Sequence, residues 1–203
     1  MGILLAVNCT LPDKYIQDDT VAPDTIRVEV PFEPETWDTV FVVEPSPQLS
    51  LTAYEIARLS IGIPPKDSIN KWLAFVGLPP DNPFCSATSC WWNELAGLWH
   101  PKSGLARHFK TKAPPGMWVS ASDVLRGVVT IPAGSMAIYE RTGTVNGHVG
   151  HVTEDFTGAK GMYISANTSP PSGGSEFAGG GVYEKTFSII PGAAFRITGF
   201  IVY

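Results

Sequence analysis

After residue 48 the sequence passes from helical patterns to short strand patterns, and this order predicts an α+β fold. Five runs rich in β-branched and aromatic residues, SMAIYE, HVGHVTE, GMYISA, GVYEKTF and FRITGFIVY, follow the helical segments and are separated by glycine-rich turns. Helices followed by such strands favour N-terminal helices packed on an antiparallel sheet. With 44% apolar residues among 203, the chain can bury a core of that kind.

Two short helices are predicted first. Thr52 and Glu55 form a capping-box pattern, so we expect a helix from Thr52 to Gly62. A second helix, ending at Gly77, is indicated by apolar residues at i, i+3, i+4 and i+7, namely Ile69, Trp72, Leu73 and Val76.

The stretch DNPFCSATSCWWNEL places Cys85 in the first turn of a third predicted helix. Asn82 is a good N-cap, and Pro83 suits the first helical position, where a missing N–H is tolerated. Backbone N–H groups and the helix dipole at a helix start favour a thiolate, so we expect a depressed pKa for Cys85. Cysteine is also a common buried apolar residue, and we interpret Cys9 and Cys90 in that way.

Composition limits the partners and the compartment. Three cysteines are too few for a disulfide framework, so we expect free thiols. A net charge of −5 leaves no basic footprint for nucleic acid, although an acidic protein can still contact an anionic polymer through a local groove. The opening MGILLAVNCT has no basic segment, and its apolar run is shorter than the roughly 20 residues of a membrane span. We therefore expect synthesis in the cytoplasm without a signal peptide and no membrane span.

Residues 1–48 are interpreted as an extension of unknown role, and residues 49–203 as the main domain. Two strand-like runs, TIRVEVPF and DTVFVVEP, lie between proline-rich segments in the extension. This composition is typical of a segment that packs on a neighbour, so a neighbouring subunit is the expected partner of residues 1–48.

A nucleophilic cysteine needs a base, and the chain has four histidines. His148 and His151 lie in the strand pattern NGHVGHVTE, and a separation of three puts their side chains on opposite faces. We expect His148, flanked by glycines that leave space beside its ring, to face the third helix as the base. His151 is expected to be structural or exposed, and His100 and His108 to lie at the surface.

The third member of a catalytic set should accept the other N–H of the imidazole. Asn167 ends the neighbouring strand pattern GMYISANTS and can do so through its side-chain carbonyl, although a turn-forming role before the proline-rich loop is an open alternative. A zinc site formed by Cys85, Cys90, His148 and His151 fails on spacing and opposed faces. We predict no metal and no cofactor.

Three long segments also carry a resemblance to a known family. They are INKWLAFVGLPPDNPFCSATSCWWNELAG, IPAGSMAIYERTGTVNGHVGHVTED and YISANTSPPSGGSEFAGGGVYEKTFSI, and they follow one another over roughly residues 50 to 203. Together they resemble the CHAP-like (NlpC-type) cysteine amidohydrolases and peptidases of phage lysins and bacterial cell-wall hydrolases. The sequence departs from many relatives at Ser165-Ala166-Asn167, where those carry Glu-Gly-Asn.

The resemblance implies a papain-like cysteine peptidase fold with Cys85 as nucleophile, His148 as general base and Asn167 as the residue that orients His148. It implies a peptidoglycan hydrolase that cuts a stem-peptide, cross-bridge or muramyl-alanine amide at the bacterial cell wall, as part of a phage particle or after lysis. The alternative is a catalytically inactive structural or binding subunit of a phage particle or secretion apparatus.

Overall fold

The computed structural model of the protein describes residues 26–32, 36–42, 51–173 and 180–203. The chain divides into two compact units, Met1–Ser50 and Leu51–Tyr203. In the first unit, β1 (Ile26–Phe32) and β2 (Thr36–Val42) form an antiparallel pair. Both strands lie on the runs predicted from the sequence, while the expected contact of this extension with a neighbouring subunit stays a prediction.

The second unit, over the residues that the structure describes, contains five helices and six strands. The helices are α1 (Ala53–Arg58), α2 (Lys66–Phe75), α3 (Cys85–Leu95), α4 (Arg107–Thr111) and α5 (Ala121–Leu125). The strands are β3 (Trp118–Ser120), β4 (Met136–Arg141), β5 (Gly147–Val152), β6 (Lys160–Thr168), β7 (Gly181–Ser188) and β8 (Phe195–Ile201). None of the helices in the described ranges has the length and apolar character needed to cross a membrane.

The six strands form one sheet in the order β3-β8-β4-β5-β6-β7, and every neighbouring pair is antiparallel. This confirms the predicted combination of helices with an antiparallel sheet. The sheet holds β5 at its centre, between β4 and β6, and α3 packs against β5 and β6. The β5 strand, with both candidate histidines, is therefore covered by helix α3.

The two faces of the sheet belong to different apolar clusters. Val149 of β5 packs in one cluster with Cys85 of α3, and we call this side the α3 face. Tyr163 of β6 packs in another cluster with Val124 of α5, and we call that side the α5 face. Because strand side chains alternate, neighbouring residues of β5 belong to different faces.

The first helix begins as predicted and ends earlier. Thr52 and Glu55 form the capping box, with the Thr52 N–H donating to a Glu55 carboxylate oxygen at 2.8 Å. The helix ends at Arg58 and not at Gly62. Gly62 instead exchanges backbone hydrogen bonds with Val182 of β7, so the chain leaves the helical conformation before this residue.

The third helix begins at Cys85 with Phe84 as its N-cap, so the predicted N-cap at Asn82 is wrong. The Asn82 side-chain amide donates to the carbonyl oxygen of Pro79 at 3.0 Å and stabilises the turn that precedes the helix. Pro83 and Phe84, which were expected to be helical, therefore precede the helix. Cys85 remains at the helix start, where the sequence predicted it.

Candidate active site

Cys85 lies at the start of α3 and is buried, with 6% of its surface exposed. Burial raises the pKa of the Cys85 thiol to about 11, because apolar surroundings disfavour the thiolate. The backbone N–H groups of Ser86, Val149 and Cys85 act in the opposite direction, since each can donate to the sulfur. The expected depressed pKa is therefore wrong: at this helix start, desolvation outweighs the N–H groups.

The second thiol of α3 is buried too. Cys85 and Cys90 are both free cysteines, as predicted, while Cys9 lies outside the described residues. Burial raises the pKa of Cys90 to about 11 as well, and its sulfur lies 3.6 Å from the carbonyl oxygen of Ser103. The thiol pKa thus does not distinguish the candidate nucleophile from its neighbour, but Cys85 alone of the two has the N–H of Val149 among the groups acting on its thiol pKa.

The two histidines of β5 point to opposite faces, as the strand period predicts. The His148 ring lies 5.9 Å from the ring of Tyr139, its cross-strand partner on β4, and belongs to the α5 face. The His151 ring lies 5.7 Å from Trp92 and belongs to the α3 face. The expectation that His148 faces the third helix is therefore wrong, because the register of β5 turns His151 toward α3.

Burial affects both rings alike. His148 is 1% exposed and His151 is fully buried, so His151 is structural and not exposed. Burial lowers the pKa of each to about 3, and the positive charge of Lys185 contributes at His148. Both imidazoles are accordingly neutral at neutral pH.

Asn167 lies near the end of β6, at an irregularity of the sheet. It has a φ of +59° and sits where the β6–β7 register shifts between Ala166 and Thr168. The β5–β6 ladder pairs His151 with Ile164 and Val152 with Tyr163, and continuing that register places Asn167 opposite His148. The predicted base and the predicted orienting residue therefore lie at the same level of neighbouring strands, with the β6 irregularity at Asn167.

Lys185 of β7 is a site residue that the sequence interpretation missed. It is buried, and its Nζ donates to the Thr168 hydroxyl at 3.2 Å, one residue beyond Asn167. The signal was present in GVYEKTF, since Lys185 shares its strand face with Tyr183 and Phe187 and thus interrupts a row of aromatic residues. A lysine at such a position is buried only when polar partners accompany it.

The glycines that flank His148 serve strand packing. A Cβ on Gly150 would lie 2.8 Å from the Ile164 carbonyl oxygen and 2.3 Å from the Tyr163 ring. A Cβ on Gly147 would lie 2.5 Å from the carbonyl oxygen of Tyr139. The expected space beside His148 is therefore occupied by neighbouring strands, which approach closely because these two residues have no side chain.

A groove of about 470 Å³ opens beside the start of α3. Its lining includes Asn167, Phe84 and Asn82, together with the face of α2 that carries Lys66 and Asn70. The groove thus reaches the residue that precedes Cys85 and the residue that faces His148. Cys85 and His148 themselves are buried.

The remaining histidines make local contacts. The His100 Nε2 lies 2.9 Å from a Glu94 carboxylate oxygen, and the His108 Nδ1 lies 2.7 Å from the Ser103 hydroxyl. Both are partly buried, which corrects the expected surface positions. Across the described ranges, no group of three or more His, Cys, Asp or Glu side chains could hold a metal ion.

No protein-family model, curated protein or solved structure matches this chain. The functional interpretation therefore depends on the chemistry of the site itself. That site combines a thiol among three backbone N–H groups, a histidine on the residue before one of those N–H groups, and Asn167 on the neighbouring strand. A thiol, a base and an acceptor are the groups that acyl transfer requires.

Proposed function

We propose that the protein is a peptidoglycan hydrolase that cleaves an amide bond, with Cys85 as nucleophile, His148 as general base and Asn167 as the residue that orients His148. The observation that carries the proposal is the position of the Cys85 sulfur at the N–H of Val149, directly after His148. The register that puts Asn167 opposite His148 supports it further. A cysteine at a helix start beside a histidine-bearing strand is also the arrangement of a papain-like fold, which we propose for the second unit.

The neutral resting state favours general-base catalysis over a thiolate–imidazolium pair. With a Cys85 pKa of about 11 and a His148 pKa of about 3, the proton stays on sulfur until the substrate arrives. His148 then takes that proton as the sulfur attacks the amide carbonyl carbon. Proton transfer requires the His148 ring to come within hydrogen-bond reach of the Cys85 sulfur. His148 pairs with Tyr139 of β4, while β5 pairs with β6 at His151 and Val152.

The reaction proceeds through two tetrahedral intermediates. When the first collapses, the carbon–nitrogen bond breaks, the His148 imidazolium protonates the leaving amine, and a thioester remains on Cys85. Water, activated by His148, attacks the thioester and releases the carboxylic acid and the thiol. The N–H groups of Cys85 and Ser86 are available at the helix start to stabilise the negative oxygen in both steps. The stem peptide, its cross-bridge or the muramyl-alanine amide is the proposed substrate, at the bacterial cell wall.

A second candidate function is a structural or binding subunit of a phage particle or secretion apparatus. The observation that favours it is the separation of the two catalytic side chains in the resting structure. Cys85 packs on the α3 face, whereas the His148 ring contacts Tyr139 and Tyr163 on the α5 face. A site of that kind would keep its residues as core packing and have no activity.

A zymogram on purified bacterial cell walls separates the two candidates. Wild-type protein and the Cys90→Ser variant should both produce a cleared band, and the Cys85→Ser variant should not. Cys90 is the matched control because it lies on the same helix, is buried and has a similarly raised pKa. Circular dichroism of each variant shows that the fold is kept. A folded wild-type protein without a cleared band would support the structural role and contradict the hydrolase.

A further inference from the structure

A second cavity, of about 310 Å³, lies at the turn that joins β4 to β5. Four parts of the chain contribute to it: the start of α4, the end of β4, the turn itself and β8. Its polar and charged lining consists of Arg107, Arg141, Arg196, Glu140, Thr142, Thr144 and Asn146. The turn leads directly into β5, so this cavity lies a few residues before His148.

The charge in this cavity is strongly positive. Three arginines line it, against one carboxylate among the described lining residues, and that carboxylate is already engaged by a lysine. The Nζ of Lys110 lies 3.1 Å from a Glu140 carboxylate oxygen. The whole chain carries a net charge of −5, so the concentration of cations here is local. Guanidinium groups gathered in this way repel one another unless an anion lies between them.

Two of the three arginines are held by contacts within the protein. The Arg196 Nη1 donates to the Thr142 hydroxyl at 2.9 Å and to the Ala193 carbonyl oxygen at 3.0 Å. The Arg141 guanidinium lies 5.5 Å from the centroid of the Phe195 ring. These contacts restrict the side chains, so less conformational entropy is lost when a ligand binds.

The turn between β4 and β5 is ordered by its own hydrogen bonds. The Thr144 hydroxyl accepts from the Asn146 N–H at 3.2 Å, and the Thr144 N–H donates to the Arg141 carbonyl oxygen at 3.3 Å. One backbone bond, from the Arg141 N–H to the Asn146 carbonyl oxygen at 3.1 Å, closes its base. The cavity wall is therefore a defined surface, with hydroxyl and amide groups beside the guanidiniums.

We propose that this cavity binds a phosphate group. Guanidinium groups bind phosphate oxygens through paired hydrogen bonds, and the Thr142 hydroxyl and the Asn146 side-chain amide can complete the set of donors. The same chemistry suits free phosphate and the phosphodiester of an anionic polymer. This inference goes beyond the proposed hydrolase and does not depend on it, since binding would tether the protein to a phosphate-rich surface whether or not Cys85 is active.

Binding is measured by isothermal titration calorimetry on the full chain carrying Cys85→Ser, so that hydrolysis plays no part. The probes are inorganic phosphate and a short glycerol phosphate oligomer. Arg196→Gln and Arg141→Gln should each weaken binding by about tenfold to a hundredfold, since each removes hydrogen bonds to a charged group. Arg141→Lys keeps the charge and loses the fork geometry, so an intermediate loss is expected.

Arg126→Gln is the matched control, because Arg126 is an exposed arginine of α5 that pairs with Asp123 and lies outside the cavity lining. It should leave binding unchanged. Tighter binding of the oligomer would identify a polymer as the ligand, and equal or tighter binding of inorganic phosphate would identify free phosphate; both support the site. The proposal is overturned if neither probe gives saturable binding, or if Arg126→Gln weakens binding as much as Arg196→Gln while all variants keep wild-type melting temperatures.

Discussion

His148 and His151 share a strand, a buried position and a lowered pKa, but they differ in their neighbours. Both lie on β5, both are buried, and burial brings the pKa of each to about 3. His148 faces Tyr139 and has Lys185 close enough to affect its charge, while His151 packs against Trp92 of α3. The charge of Lys185 on β7 thus acts on His148, whereas the Trp92 ring of α3 packs against His151.

The comparison teaches that burial and a perturbed pKa do not by themselves identify a catalytic residue. Desolvation lowers a histidine pKa wherever the ring is enclosed. What separates His148 is the convergence of chemistry around it: the register position of Asn167, the adjacent N–H of Val149 beside the Cys85 sulfur, and the ammonium group of Lys185.

The largest expected effect comes from removing each ring in turn. His148→Ala should lower the rate of cell-wall hydrolysis by a factor of about a thousand or more, because the general base is lost. His151→Ala should keep the rate per folded molecule within about tenfold of wild type, although the cavity beside Trp92 lowers its stability. Hydrolysis is measured by turbidity loss of purified cell walls, with melting temperatures for both variants. Loss of activity in folded His151→Ala, with activity kept in His148→Ala, would reverse the assignment.

Asn167, the proposed acceptor for an N–H of His148, provides a second test of the difference between the two histidines. Its φ of +59° means that Ala would add backbone strain, so Asn167→Gly is the cleaner removal of the amide. We expect Asn167→Gly to lower the turnover rate by roughly ten- to a thousandfold with a small change in melting temperature. Asn167→Asp should keep substantial activity and raise the pKa of His148, since a nearby negative charge stabilises the imidazolium.

The pH–rate profiles of wild type and the two Asn167 variants on one cell-wall substrate provide the measurement. The acidic limb should move upward in pH for Asn167→Asp. Wild-type rates in Asn167→Gly would show that another group orients His148. A backbone position with positive φ was not visible in the strand pattern.

Gly150, between the two histidines, tests whether the close approach of β5 and β6 is required for both. Gly150→Ala should lower the free energy of unfolding by roughly 3 kcal/mol, because the added Cβ meets the backbone oxygen of Ile164. Gly158→Ala is the control: its Cβ meets nothing within 4 Å, and only its φ of +80° opposes the change. Urea denaturation of both variants gives the comparison. Equal stability losses would mean that the strand contact at Gly150 is easily relieved.

The last comparison concerns the change in stability per pH unit and treats the two histidines as equals. Burial lowers both pKa values from 6.5 to about 3, so both imidazoles stay neutral in the folded protein while those of the unfolded chain take up protons. Their contribution to stability is therefore fully present above about pH 6.5 and is lost as the pH falls toward 3. The free energy of unfolding should decrease by up to about 1.4 kcal/mol per pH unit for each histidine.

His151→Phe offers the matched variant for this pH dependence. It keeps a ring against Trp92 and should remove about half of the histidine-linked slope. Urea denaturation between pH 7 and pH 4 measures the slopes for wild type and variant. Unchanged slopes would mean that His151 takes up its proton at the same pH in the folded and unfolded states, which contradicts the lowered pKa.

Local patterns predicted much of the fold because their causes are local. The Thr52–Glu55 capping box formed as expected, since it needs only four consecutive residues. All five predicted strands of the second unit formed, because alternation and glycine-rich turns act within a few residues. The β3 strand and helix α5 were missed, since each is very short and β3 forms by pairing with β8, which is distant in sequence.

The sequence by itself determined that Cys85 opens a helix and that His148 and His151 point in opposite directions, because helix starts and the two-residue strand period follow from neighbouring residues. Only the tertiary structure decided which histidine faces α3, and that burial outweighs the N–H groups around the Cys85 sulfur. The gathering of three arginines from distant segments into one cavity was likewise decided by the fold. The face to which a side chain points, its burial and the local charge depend on elements far apart in the sequence. These elements come together only when the sheet and helices pack.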